Sequence, residues 1–317
     1  MAIQQPKKRR DIHKGDRRFY LSLRAVGLLV ILIFSAIVIQ LARLSAPALH
    51  HFGLGFLFES NWDPVNEKFG AASFLFGTLV SSLIALVISV PVSVGVALFL
   101  TELAPKRVAN FMGFLVEMLA AIPSVVYGLW GVFVLAPILR TMVEPFLKHH
   151  LGFLPLFQGA PYGVGMMAAG IILAIMITPT ISAICREVFS AVSNAQREAA
   201  LALGATRWEM IRLSVLRGVR PGILGAVVLG FGRALGETMA VTMVIGNRPD
   251  ISPSLFAPAQ TMASVIANEY AEATSDLHLS ALAAIGLSLF AVSLVINSSA
   301  RLLIWNFERP SRLGSAK

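Results

Sequence analysis

Residues 69–101 read FGAASFLFGTLVSSLIALVISVPVSVGVALFLT, without a single charge. A bilayer core takes roughly 20 residues as α-helix, so this segment is long enough to cross one. Working outward, five more apolar stretches accompany it, at about 25–42, 111–139, 163–184, 222–245 and 279–303. Counted along the chain with 69–101 as the second of six, the third contains Glu117, and the fifth holds both Arg233 and Glu237. The first lies between Arg24 and Arg43; it is too long for a cleavable leader and has no small-residue cleavage site before the next charge. The expected fold is therefore an all-α polytopic membrane protein with six transmembrane helices.

Composition agrees. Hydrophobic residues make up 56% and charged residues 14%, against about a quarter charged in soluble domains. Abundant apolar surface with sparse charge excludes disorder. The lone Cys185 cannot form an internal disulfide, which removes the small secreted scaffolds. A net charge of +9 raises nucleic acid as a ligand, and the placement of the charges decides against it. Counted by loop, 20 Lys and Arg fall on one side of the expected spans and 5 on the other. The positive-inside rule then puts both termini in the cytoplasm. The basic residues before Ala25 read as an anchor to lipid headgroups, not a nucleic-acid site.

The loop between the fourth and fifth stretches, about 186–220, is amphipathic. Ser193 with Gln196 and Thr206 with Glu209 have capping-box spacing, and Gly204 lies between them where a helix would end. The pattern predicts helix, glycine turn, helix at the membrane surface. The first helix is expected to expose Glu198 and pack Ala199, Ala200 and Leu203; the second is expected to align Trp208, Ile211 and Val215 on one face. Two readings fit: insertion into a groove of a soluble partner, or an interfacial helix resting on lipid.

In the fifth stretch, Arg233 and Glu237 are four residues apart, which in one continuous helix puts them a turn apart on one face. Gly232 and Gly236 allow close helix contact. Ionisable groups inside a membrane belong to a wet cavity or a bundle interior. Either Arg233 lines an oxyanion path, its planar fork suited to phosphate or sulfate oxygens, with Glu237 neutralising it when empty, or the two form a fixed ion pair between helices. Glu117 reads as a cavity-facing or helix-pairing group, and Pro91, Pro123, Pro137 and Pro179 as kinks or ends of spans. The six histidines show no metal spacing and receive no role. No Gly-rich phosphate loop followed by Lys-Ser/Thr is present, and no nucleophile–base pair is placed for catalysis.

Two resemblances follow from these residues. Glu198-Ala199-Ala200 with Gly204 resembles the EAA loop of ABC-transporter permeases, although Ser214 stands where that pattern has isoleucine, and Leu216-Arg217 with Pro221 replaces its Leu-Pro pair. The run Gly232–Val241, Gly246-Asn247, Ser254-Leu255-Phe256, Thr261-Met262-Ala263-Ser264 and Ile266-Ala267-Asn268-Glu269 is similar to permease subunits of the phosphate ABC importers, and the similarity extends over nearly the whole chain. The resemblance implies a MetI-like permease fold and transport of inorganic phosphate with no cofactor and no enzyme activity of this chain. It also implies a homologous second permease subunit, two ATPase subunits gripping the Glu198 loop, and an extracytoplasmic phosphate-binding protein. The expected division is a basic tail at 1–24, a first helix and extracytoplasmic segment at 25–70, a five-helix core at 71–304 with its coupling loop at 186–220, and a tail at 305–317. Competing expectations are a permease for molybdate, sulfate or phosphonate, a self-sufficient channel or secondary transporter, and a membrane-anchored assembly protein.

Overall fold

A computed structural model describes residues 10–313; Lys7, Lys8 and Arg9 of the basic tail lie outside it, as do residues 314–317. In chain order the helices are α1 (Arg10–Phe52), α2 (Ala72–Leu103), α3 (Lys106–Ala120), α4 (Ser124–Leu151) and α5 (Met166–Ser190). They are followed by α6 (Asn194–Ala202), α7 (Arg207–Leu216), α8 (Arg220–Leu235), α9 (Met239–Val244), α10 (Met262–Glu269) and α11 (Asp276–Leu313). No strand longer than an isolated bridge forms among the described residues.

A helix that is apolar all round must be covered on every side, and α5 is that helix. Ala169, Ile172, Ile181, Cys185 and Phe189 on it are fully buried. Its closest neighbour is α2. A Cβ added to Gly170 would come within 2.5 Å of the Ile84 side chain, so the absence of a side chain there sets how near the two helices pack. The Ser93 hydroxyl crosses the same interface to the Thr178 carbonyl at 3.1 Å. This replaces water for a polar group with a partner on the next helix.

On the outside, α1 and α11 pair in antiparallel fashion. Ala48 N donates to Ser280 Oγ at 2.9 Å near one end, and the Phe34 and Phe290 rings meet at 5.5 Å further along. The N-terminal end of α1 and the C-terminal end of α11 therefore lie at one end of the bundle, here the terminal end. The Glu102–Arg197 contact brings the C-terminal end of α2 and the start of α6 to that same end. At the far end, Trp62, Phe69 and Phe74 pack edge to face. Trp62 Nε1 donates to Glu269 Oε2 at 2.8 Å. The half-buried Asp63 beside them accepts from Asn66, which holds its carboxyl below the ordinary value.

Among the described residues, five helices are long and apolar enough to cross a bilayer, or six if α7 and α8, bent by 71° at their junction, count as one span. Three expectations about the spans are corrected. With 43 residues, α1 is far longer than the stretch at 25–42; its helix starts at Arg10 inside the expected tail and rises to roughly 65 Å, about twice the hydrocarbon core. The apolar run at 111–139 straddles a break: α3 stops at Ala120 and α4 starts after Pro123, whose fixed φ begins a helix more readily than it continues one. Arg140 and Lys148, expected in a connection, thus lie within α4. The stretch at 222–245 is broken as well: α8 ends at Leu235, and α9 leaves its line to pack against α4.

Candidate coupling and translocation sites

The loop at the terminal end folds as helix, turn, helix. Ser193 Oγ accepts from Gln196 N at 3.4 Å to cap α6, and Thr206 with Glu209 forms a full capping box at the start of α7. Gly204 sits between them at φ +86°, a left-handed conformation that glycine adopts without a Cβ clash. Glu198 is exposed as expected, and Ala200 is half-buried against the main core. Ala199, expected to pack inward, is exposed, and so is Leu203, at 90%. Together they give α6 an outward face of small and apolar side chains beside one acid. Trp208 is also exposed, while Ile211 and Val215 are buried. The expected face holds for Ile211 and Val215, which stay together although residues 211–216 wind as a π-helix, and fails for Trp208, in the α-helical turn before them.

Arg233 and Glu237 do not share a helical face. The helix carrying Arg233 ends two residues later, and the non-helical residues 236–238 separate the two side chains. Glu237 Oε1 instead accepts from Ala240 N at 3.3 Å, closing the first turn of α9. Arg233 is exposed, reaches Thr180 Oγ1 on α5 at 3.3 Å, and forms no ion pair among the described residues. Thr180 directly follows Pro179, which lies inside α5 and cannot donate a backbone hydrogen bond. A cation on a helix that ends beside it, next to a hydroxyl and without a carboxylate partner, is a group able to receive an oxyanion.

Three polar contacts had no local sequence signal. Glu102 at the end of α2 pairs with Arg197 of α6 at 2.8 Å, with side chains 5% and 16% exposed. Glu117 of α3 pairs with Arg186 of α5, which gives Glu117 its helix-pairing role. His278, given no role by sequence, is buried and meets Glu269 Oε2 at 3.0 Å in the Trp62 cluster. The partners stand far apart in sequence or, for His278, across a loop, so helical spacing does not reveal them. Among the described residues no cluster of His, Cys, Asp or Glu is arranged to hold a metal.

Residues 89–305 match the family described as binding-protein-dependent transport system inner membrane component. A relative from Mesorhizobium japonicum, named phosphate transport system permease protein PstC, is 46% identical over 92% of this chain and 91% of its own length. The protein of the same name from Haemophilus influenzae is 46% identical over 89% and 91%. One from Methanocaldococcus jannaschii, named as a probable PstC, is 38% identical over 79% and 81%. Among solved structures, a bacterial alginate ABC transporter chain superposes with a TM-score of 0.61 at 18% identity, covering 90% of this chain and 94% of that one. A MetNI methionine ABC transporter chain in an inward-facing conformation gives 0.52 at 18% identity over 75% and 94%. At such identity these two speak to the fold, which they share.

Proposed function

This chain belongs to the binding-protein-dependent transport system inner membrane components, and from that premise we propose how its own residues serve the import of inorganic phosphate. It is a multi-pass permease subunit and not an enzyme; an ATPase hydrolyses the nucleotide and a substrate-binding protein delivers the cargo. The phosphate reading is supported by relatives named as phosphate permeases over nine-tenths of the chain. The finer partners are a PstA-like second permease, two PstB-like ATPase subunits and a PstS-like binding protein. Orientation is read from the excess of Lys and Arg counted in the sequence on one side of the spans: that side, with both termini, faces the cytoplasm, and the far end meets the binding protein. We keep the division into a basic tail at 1–24, a first helix and outer segment at 25–70, a core at 71–304 and a tail at 305–317 as functional regions, not structural boundaries, because α1 begins at Arg10 and α11 continues to Leu313.

The observation that carries the mechanism is Arg233, exposed at a helix break without a carboxylate partner. ATP-driven closure of the ATPase dimer moves α6 through Glu198, Ala199, Ala200 and Gly204, and the spans rock between inward- and outward-facing states. Phosphate released from the binding protein passes Arg233, whose fork holds two oxygens, while Glu237 across the break lowers the local potential enough for release. The test is the reconstituted complex carrying Arg233→Lys, assayed for phosphate uptake against sulfate, molybdate and phosphonate. The expected result is phosphate-selective uptake that drops in the lysine variant. Unchanged uptake in Arg233→Lys rules out recognition by the fork; equal uptake of a competing oxyanion rules out phosphate as the selected cargo.

A further inference from the structure

We propose that Arg197 is the positioning residue that passes movement of α6 to α2 and α5, and that its carboxylate partner Glu102 is what makes that transfer stiff. The inference rests on the reading of α6 as the ATPase-docking helix and adds where the motion goes next. Arg197 stands on α6 directly before Glu198, yet it points away from the exposed face. Its Nη2 lies 2.8 Å from Glu102 Oε1 and its Nε 3.3 Å from Glu102 Oε2, so the fork takes both carboxylate oxygens of the last turn of α2. The same guanidinium donates to the Phe189 carbonyl in the last turn of α5 at 2.9 Å and to the Val192 carbonyl just past its end. It also reaches Asn194 Oδ1 at 3.4 Å. One planar group therefore holds the ends of α2 and α5 and the start of α6.

The geometry on the other side of α6 is soft. Gly204 interrupts the chain at φ +86°, the hydroxyl link from Ser214 to the Gln196 carbonyl is long at 3.4 Å, and α7 meets α8 at a 71° bend. A displacement imposed on α6 follows its stiffest connection. Here that is a doubly bonded, largely buried ion pair, which tolerates little change in geometry because separating it leaves a desolvated charge. On this argument the stroke enters the α2–α5 pair, the tightly packed centre of the bundle, before it reaches α8. Lysine, a single-point donor on a flexible stem, cannot hold two oxygens and two carbonyls at once.

The test uses the full complex in nanodiscs with phosphate-loaded binding protein. Three quantities are measured: ATPase subunit retained per complex, basal ATP hydrolysis, and hydrolysis stimulated by the binding protein. Glu102→Gln keeps the shape and removes the charge. Retention and basal hydrolysis are expected to be unchanged, and stimulation to fall at least about fivefold, the lower end of measured couplings between sites. Arg197→Lys is expected to lower stimulation in the same way. Normal stimulation in Glu102→Gln overturns the proposal. Loss of the ATPase subunit from that variant overturns it too, since the pair would then shape the dock and transmit nothing. If Glu102→Gln fails to assemble, Glu102→Asp retains the charge but shortens the reach. Reduced stimulation in an assembled Asp variant supports the proposal, and normal stimulation sinks it. The docking reading is judged separately, by whether ATPase subunits protect backbone amides of residues 198–204 from hydrogen exchange in the wild-type complex.

Discussion

Two arginines of this chain stand in opposite circumstances. Arg197 is half-buried, meets a carboxylate with two nitrogens and fills its remaining donors with carbonyls near a helix end. Arg233 is exposed, has a single hydroxyl 3.3 Å away and no carboxylate partner among the described residues. A saturated guanidinium has nothing left to offer a ligand; it fixes the elements around it. An unsaturated one, held at a helix break, contributes little to the stability of this chain and keeps its donors for an anion or a neighbouring subunit. The same side chain is thus placed to act as a strut in one site and, on the function proposed above, as a receptor in the other; the difference lies in the second charge.

The sharpest way to break that comparison is to remove the receptor. Arg233→Ala is expected to leave the folded chain and its ATPase retention unchanged while cutting phosphate transport roughly ten- to hundredfold, the loss of one hydrogen bond to a charged group at about 1.5–3 kcal/mol. Uptake of radiolabelled phosphate, with ATPase retention measured on the same samples, separates the two quantities. A drop in retention equal to the drop in uptake would make Arg233 another strut.

A gentler change converts one circumstance into the other. Thr180→Glu places a carboxylate beside Arg233, where the threonine hydroxyl now lies at 3.3 Å. The new pair competes with phosphate for the fork. At a separation of about 4 Å the attraction runs from roughly 1 kcal/mol in water to 4 kcal/mol in a less polar medium, so uptake should fall about tenfold. Thermal stability should stay level or rise slightly. If Thr180→Glu transports normally, Arg233 does not meet the cargo.

How much of this contrast the sequence carried can be followed through particular residues. The capping residues Ser193 and Thr206 and the turn at Gly204 were legible because their partners lie within three residues, inside one helical turn. The apolar stretches were legible for the same local reason, but their phase was not. The run at 111–139 is uniformly apolar across the break at 121–123, so hydropathy has no step there to mark where α3 stops. The pairing of Arg233 with Glu237 was inferred from spacing that holds only in an unbroken helix, and the glycine at 236 that suggested helix contact instead coincides with the break. Glu102 and Arg197 were invisible as a pair, since 95 residues separate them and only the packing of α2 against α5 brings them together.

The outward face of α6 sharpens the comparison from the other direction, because Glu198 neighbours Arg197 in sequence but is exposed and free for a partner. Glu198→Ala removes a charge that contributes at the rim of an interface, where such groups are worth about 0.2–1 kcal/mol. The expected result is a weakening of ATPase-subunit binding by a few fold, read by titrating the detergent-solubilised permease pair with ATPase subunit. An Ala variant that binds normally would leave Ala199, Ala200 and Leu203 to carry the contact by shape alone.

The smallest effect on transport is expected where the stiff and soft sides of α6 meet. At Gly204 an added Cβ would have no atom within 4 Å, so Gly204→Ala is resisted only by the backbone, held at φ +86°. An L-residue there costs about 1–2 kcal/mol. Gly95, inside the C-terminal third of α2, also has open space around its missing Cβ but ordinary helical φ; there the same substitution should stabilise by about 0.5–1 kcal/mol. Because the Gly204 turn is bounded by the α7 capping box and by the Arg197 strut, its penalty should appear as faster local hydrogen exchange over 203–206, with the global unfolding temperature nearly unchanged. A uniform loss of protection through α2 and α5 in Gly204→Ala would mean that the turn, and not the ion pair, holds α6 to the bundle.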